Sequence, residues 1–119
     1  MATKSKTPKT REPETPAAEQ PFRSYNRVQL AGRIVADPEL RYTPTGKAVC
    51  KLRVATNDTR EAQFHDVIVW EAAAETVAES FAKGNAVTVE GRIQTRTWQA
   101  ADGSQRRATE IVASAVAAA

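Results

Sequence analysis

The stretch that decides the fold runs from residue 63 to residue 98 and reads QFHDVIVWEAAAETVAESFAKGNAVTVEGRIQTRTW. It contains a strand pattern, then a helical pattern, then a longer strand pattern. Phe64, Trp70 and Trp98 fall in the strand phase opposite to the residues that would build a core. Large aromatic side chains on the solvent-exposed face of a sheet call for an explanation, and we expect that nucleobases stack on them.

The two strand patterns of this stretch separate apolar from polar side chains. In the first, residues 63–70, one face carries Phe64, Asp66, Ile68 and Trp70, and the other carries His65, Val67 and Val69. In the second, residues 85–98, the inward positions are Val87, Val89, Gly91 and Ile93, and the outward positions are Thr88, Glu90, Arg92, Gln94, Arg96 and Trp98. Gly91 in mid-strand predicts a sharp bend.

Between these strands, residues 71–83 change to a helical period. Ala73, Val77 and Phe81 recur every fourth residue, with Ala74 and Ala78 beside them, and predict one amphipathic helix. Lys83 and Gly84 then supply a favourable charge and a left-handed stop at its C-terminus.

Outside this stretch, alternation predicts three further strands, and turn residues separate them. The strands are residues 26–35, 48–56 and 105–114, with a short extended segment at 39–43. Three strands, one helix and two strands favour a small closed barrel over a sandwich. We predict an all-β fold, a five-stranded OB-fold barrel with one α-helix between strands 3 and 4.

Composition bounds the domain organisation and the classes of function. Residues 1–21, rich in Lys, Thr, Pro and Glu, are predicted to be a disordered leader, either solvated or a weak electrostatic arm on nucleic acid. Residues 22–114 form the predicted domain, and residues 115–119 are predicted to be a frayed end.

The net charge of +3 and the pI near 9.3 favour an anionic binding partner. No apolar segment approaches the roughly 20 residues that span a bilayer, so we expect a cytoplasmic protein.

Neither a metal site nor a cofactor is predicted. His65 is the only histidine, and Cys50, the only cysteine, alternates with apolar residues as a buried side chain would. Asp66 has no obvious acid–base partner, and there is no phosphate-cradling glycine loop. We therefore do not expect an enzyme.

Basic residues repeat on the outward faces of the strands, as phosphate contacts would. The candidates are Arg33, Lys51, Arg53, Arg92, Arg96, Arg106 and Arg107.

Several motifs occur in one order along residues 26–112. They are Asn26-Arg27-Val28, the segment DPELRYTPTG at 37–46, LRVATN at 52–57 and VTVEGRIQTRTW at 87–98. Together they resemble the bacterial single-stranded DNA-binding proteins of the homotetrameric OB-fold family. The resemblance implies sequence-independent binding and protection of single-stranded DNA in replication, recombination and repair, at the nucleoid. It also implies that bases stack on Phe64, Trp70 and Trp98, and that Asn26, Val28 and His65 lie at subunit contacts.

The chain departs from the family pattern in four places. The loop at 57–62 is short and lacks an aromatic residue, and Asp66 stands where a basic residue is usual. The leader is longer than usual, and the acidic C-terminal tip that recruits replication and repair partners is absent from this sequence, so we expect those partners to be lost.

Two other functions stay open. The first is a primosomal accessory OB protein that acts mainly through protein docking. The second is a structural adaptor whose exposed aromatic residues form a protein interface.

Overall fold

The computed structural model describes residues 21–119, so the predicted leader, residues 1–21, lies outside the described residues except for Pro21. Six strands and one helix follow one another along the chain. They are β1 Val28–Ile34, β2 Glu39–Tyr42, β3 Ala48–Thr56, β4 Gln63–Trp70, α1 Glu71–Ser80, β5 Ala86–Gln99 and β6 Gln105–Ala118. The all-β architecture with one helix before the last two strands is confirmed.

The strands form one sheet that closes on itself. Its order is β1-β5-β6-β4-β3-β2, and a further pairing of β1 with β3 completes a ring of five strands. β2 and β1 share one edge of β3, since β2 pairs with residues 48–51 and β1 with Val54 and Ala55. The segment predicted to be merely extended is therefore a sixth strand that prolongs β1 along that edge.

Alternating apolar side chains fill the inside of the ring. The fully buried members are Ile34, Leu52, Val54, Val67, Val69, Val87, Val89 and Cys50. Cys50 is thus a core residue, as predicted, and burial raises the pKa of its thiol. Ala74 and Val77 of α1 pack against the same core.

Two glycines let the ring close tightly. A Cβ at Gly32 would collide with the carbonyl oxygen of Ala55, and one at Gly91 would collide with that of Val112. The pairing of β5 with β6 also shifts by one residue between Glu90 and Gly91, which marks a bulge. The bend predicted at Gly91 is therefore present, and Gly32 allows a second close approach of two strands.

The helix begins where it was predicted to begin and ends earlier than predicted. It stops at Ser80 instead of Lys83, because Phe81 already has an extended backbone with φ −124° and ψ 152°. At its start, Glu71 follows β4 directly and turns the chain with φ 61°. Ala74 and Val77 of the predicted stripe are buried, whereas Ala73 is exposed.

The last two strands correct two further predictions. Residues 115–119 are not a frayed end, because β6 continues to Ala118 and pairs with Val87 of β5. Backbone ladders need no large side chains, so an alanine-rich segment can complete the edge of β5. Ile93, predicted to point inward, is 47% exposed, because β5 pairs only with β6 beyond Gly91 and has left the ring.

Candidate nucleic-acid interface

The pairing of β3 with β4 puts two aromatic rings and two cations on one surface. Residues directly opposite each other in antiparallel strands share a face. The pairs on the side away from the core are Val49 with Trp70, Lys51 with Ile68, Arg53 with Asp66 and Ala55 with Phe64. The intervening residues of β3 are buried.

The same surface continues across β6 to β5. Ile68 is in register with Val112, and Val112 lies opposite Arg92. From Arg92, alternation along β5 brings Arg96 and Trp98 to this side, and Arg106 lies opposite Trp98. We call this surface the outer face. The predicted rings and cations that it carries are Phe64, Trp70, Trp98, Lys51, Arg53, Arg92, Arg96 and Arg106.

All three rings are accessible to solvent. Phe64 is 53% exposed, Trp70 40% and Trp98 42%. Their predicted exposure is therefore confirmed, while their contact with bases stays a prediction. A single-stranded nucleic acid can use such a face because every base has a π surface and every nucleotide has a phosphate.

Two of the rings already carry an arginine in the unbound protein. The Arg53 guanidinium carbon lies 5.2 Å from the Phe64 centroid, and that of Arg96 lies 4.7 Å from the Trp98 ring. These are cation–π distances. An arginine above a ring both brings charge to the stacking site and restricts the ring's motion.

Glu110 anchors one of these arginines, and the sequence analysis did not identify it. It is the one charged side chain that is buried within residues 21–119, at 4% exposure. The Arg96 Nε–H donates a hydrogen bond of 3.1 Å to Glu110 Oε1. The carboxylate holds the pKa of Arg96 above its ordinary value, mainly through this hydrogen bond. Nothing in the sequence pattern marks a glutamate in an outward phase as buried.

The two remaining candidate cations, Arg33 and Arg107, lie in different positions relative to the outer face. Arg33 lies opposite Ala55 and donates to the carbonyl oxygen of Gly84 over 3.0 Å, at the border of the outer face. Arg107 lies opposite Thr97, so it points to the other side from Arg106 and the three rings. Strand alternation separates Arg107 from Arg106, although the sequence analysis proposed phosphate contacts for both.

Arg41 is a cation of the outer face that was missed. It lies opposite Val49, the neighbour of Trp70, and it forms an exposed salt bridge of 3.0 Å with Glu39. Alternation within the segment at residues 39–43 would have found it, had that segment been treated as a strand.

The candidate subunit-contact residues lie around β1. The Asn26 side-chain amide, just before β1, donates to the Ile93 carbonyl over 2.6 Å and accepts from the Ile93 N–H over 2.8 Å. Val28 is half-buried against the core. His65 and the Thr56 hydroxyl are 3.1 Å apart and border a cavity of about 540 Å³ that β1 also lines.

Within the described part of the chain, no group of three or more His, Cys, Asp or Glu side chains could hold a metal ion. No helix of residues 21–119 is both long enough and apolar enough to cross a membrane.

Comparison with known proteins agrees with this geometry. The model of the family described as "Single-strand binding protein family" matches residues 25–118. The chain belongs to this family. The closed ring with its single helix is therefore the OB-fold of the family, as the sequence predicted.

Curated relatives point to the same family. The "Single-stranded DNA-binding protein" of Oceanobacillus iheyensis is 44% identical over 98 residues, covering 76% of this chain and 61% of the relative. "Single-stranded DNA-binding protein 2" of Listeria monocytogenes is 45% identical with the same coverage. That of Clostridium tetani is 44% identical, and 68% of it is covered. The chain thus spans about three fifths of the length of the first two.

Proposed function

We propose that this chain binds single-stranded DNA without sequence preference and protects it during replication, recombination and repair, as a binding protein and not an enzyme. The observation that carries the proposal is that Phe64, Trp70 and Trp98 are exposed on one outer face among cations. Membership of the family and the names of its relatives support it. Such a role would place the protein at the nucleoid.

The chemistry of the outer face suits a sequence-independent binder. Stacking of a base on an aromatic side chain contributes about 1–3 kcal/mol and tolerates any base. Cations between the rings attract phosphates and release counterions from the strand. We assign the phosphate contacts to Lys51, Arg53, Arg92 and Arg106, with Arg33 at the border.

We further propose that the chain assembles as a homotetramer. Among the described residues, β1 pairs with β3 only through Arg33 and Ile34, so the edge of residues 28–31 that faces away from β5 is open. An open edge can pair with another strand. Asn26 and Val28 lie at the start of this edge, and His65 borders the cavity beside it, so a second copy that docks along β1 would contact all three.

The two tryptophans provide a direct test. The chain has no other tryptophan, and both lie on the outer face, so its tryptophan fluorescence reports on the proposed site. We expect poly(dT) added at low salt to quench this fluorescence and added salt to reverse the quenching. Double-stranded DNA at the same nucleotide concentration is the control and should quench much less. Unchanged fluorescence with poly(dT) would refute the proposal.

Assembly is measured separately from DNA binding. The mass of the protein in solution, alone and with oligothymidines of increasing length, should correspond to four chains. A monomeric mass would refute the tetramer and leave the proposal of DNA binding intact.

A further inference from the structure

Arg96 donates a hydrogen bond to Glu110 and lies over the Trp98 ring, and these two contacts assign it a different role from that of the other cations on the outer face. We propose that Arg96 is a positioning residue that fixes the Trp98 ring for base stacking and makes no phosphate contact. This inference rests on the proposed function. It corrects the sequence-based expectation that Arg96 contacts phosphate.

The first argument is the burial of the carboxylate. The Glu110 side chain is 5% exposed, and its Oε1 accepts the Arg96 Nε–H over 3.1 Å. If Arg96 swung out to a phosphate, a buried carboxylate would lose its partner. The cost of a buried unpaired charge exceeds what one solvent-exposed phosphate contact returns. Arg96 therefore stays with Glu110 when a strand binds.

The second argument is the position of the ring. The Arg96 guanidinium carbon is 4.7 Å from the Trp98 ring. Trp98 lies on the part of β5 that pairs only with β6, beyond the closed ring, where no core packs against it. Arg96 thus gives Trp98 a support that the core cannot give, and the 42% of Trp98 that stays exposed remains for a base.

Arg92 is the matched control. It lies on the same strand and the same face, four residues away, and it forms no salt bridge with any described residue. Affinity for an oligothymidine is measured at a series of NaCl concentrations for the protein, for Arg92→Gln and for Arg96→Gln. A labelled strand reports binding, so tryptophan signals do not enter the measurement.

The two variants should separate by their salt dependence. Arg92→Gln should reduce the slope of log affinity against log salt by about 0.7, the value for one contact on a single strand. Arg96→Gln should weaken binding about two- to fivefold, as loss of an exposed cation–π contact does, without changing the slope. In a Trp98→Ala background, Arg96→Gln should have no further effect on affinity.

An equal loss of slope in Arg92→Gln and Arg96→Gln would overturn the positioning role and leave DNA binding established. If Arg96→Gln fails to fold, Arg96→Gln with Glu110→Gln removes both charges, leaves no unpaired carboxylate, and should again keep the slope of the protein. A reduced slope in that double variant would also overturn the inference. Failure of the unsubstituted protein to bind would instead refute the proposed function.

Discussion

The guanidinium of Arg53 rests over the ring of Phe64, at 5.2 Å, and not on the carboxylate of Asp66, its cross-strand neighbour. Among the described residues, Arg53 and Asp66 form no salt bridge. The outer face therefore carries a half-buried carboxylate in the same phase as Phe64 and Trp70. A negative charge in this place repels a passing phosphate.

We expect Asp66→Asn to strengthen binding to an oligothymidine about twofold at low salt, because it removes a negative charge beside the proposed phosphates and a repulsion of about 0.4 kcal/mol in water corresponds to that factor. The gain should fade as salt is added. Glu79→Gln, an exposed carboxylate of α1, is the control and should bind like the unsubstituted protein. Equal affinities for Asp66→Asn and the control would show that no phosphate passes Asp66.

Arg106 and Arg107 are adjacent in sequence but lie on opposite faces of the β5–β6 hairpin. Arg106→Gln should reduce the slope of log affinity against log salt by about 0.7, and Arg107→Gln should leave it unchanged. The two variants have the same composition, and measuring their affinity for an oligothymidine at a series of salt concentrations compares the two slopes. If Arg107→Gln lowered the slope as much as Arg106→Gln does, the assignment of the outer face as the DNA-binding surface would be wrong.

The tight closure at Gly91 predicts a large loss of stability. Gly91→Ala forces the backbone of β6 to move and should cost about 2–3 kcal/mol, as overpacking of a core does. Arg92→Ala, at the next, exposed position, should stay within about 0.5 kcal/mol. Urea unfolding of both variants measures these free energies. A Gly91→Ala variant as stable as Arg92→Ala would refute the close approach of β5 and β6.

Tyr42 gives stability a dependence on alkaline pH. Its hydroxyl donates to a Glu75 carboxylate oxygen over 2.9 Å and so ties β2 to α1. This hydrogen bond raises the pKa of Tyr42 above 10.0. The folded state therefore gains stability that is complete below the unfolded pKa and is lost as pH rises through the folded pKa.

We expect the free energy of unfolding to fall in that alkaline window, and to fall less in Tyr42→Phe, which cannot ionise. Thermal melts of both proteins from neutral pH upward measure the difference. Parallel pH profiles would show that the Tyr42–Glu75 hydrogen bond does not form in solution.

Strand alternation was enough to predict most of the outer face. Phe64 and Trp70 lie out of phase with Val67 and Val69, and the register confirms that phase. The same rule misplaced Ile93, because alternation predicts burial only where a strand still borders the core, and β5 has left the ring there. The residue type at a strand position does not indicate where the strand stops bordering the core.

Other features depend on partners that a local pattern does not contain. The alanines at the end of β6 look frayed alone but pair with β5, and Glu110 is buried by its position between strands. The helix ends before Lys83 because the backbone of Phe81 is already extended. The pairing of the last alanines and the burial of Glu110 depend on strands that are distant in sequence.

The most direct measurement for the central claim is the affinity of Trp70→Ala/Trp98→Ala for a labelled oligothymidine. Loss of two stacking rings should weaken binding at least about thirtyfold, while the mass in solution and the fold stay unchanged. The control removes two other exposed rings, Phe22 and Tyr25, which lie before β1, and should bind like the unsubstituted protein. If the tryptophan variant bound as tightly as this control, bases would not stack on the outer face and the account would be contradicted.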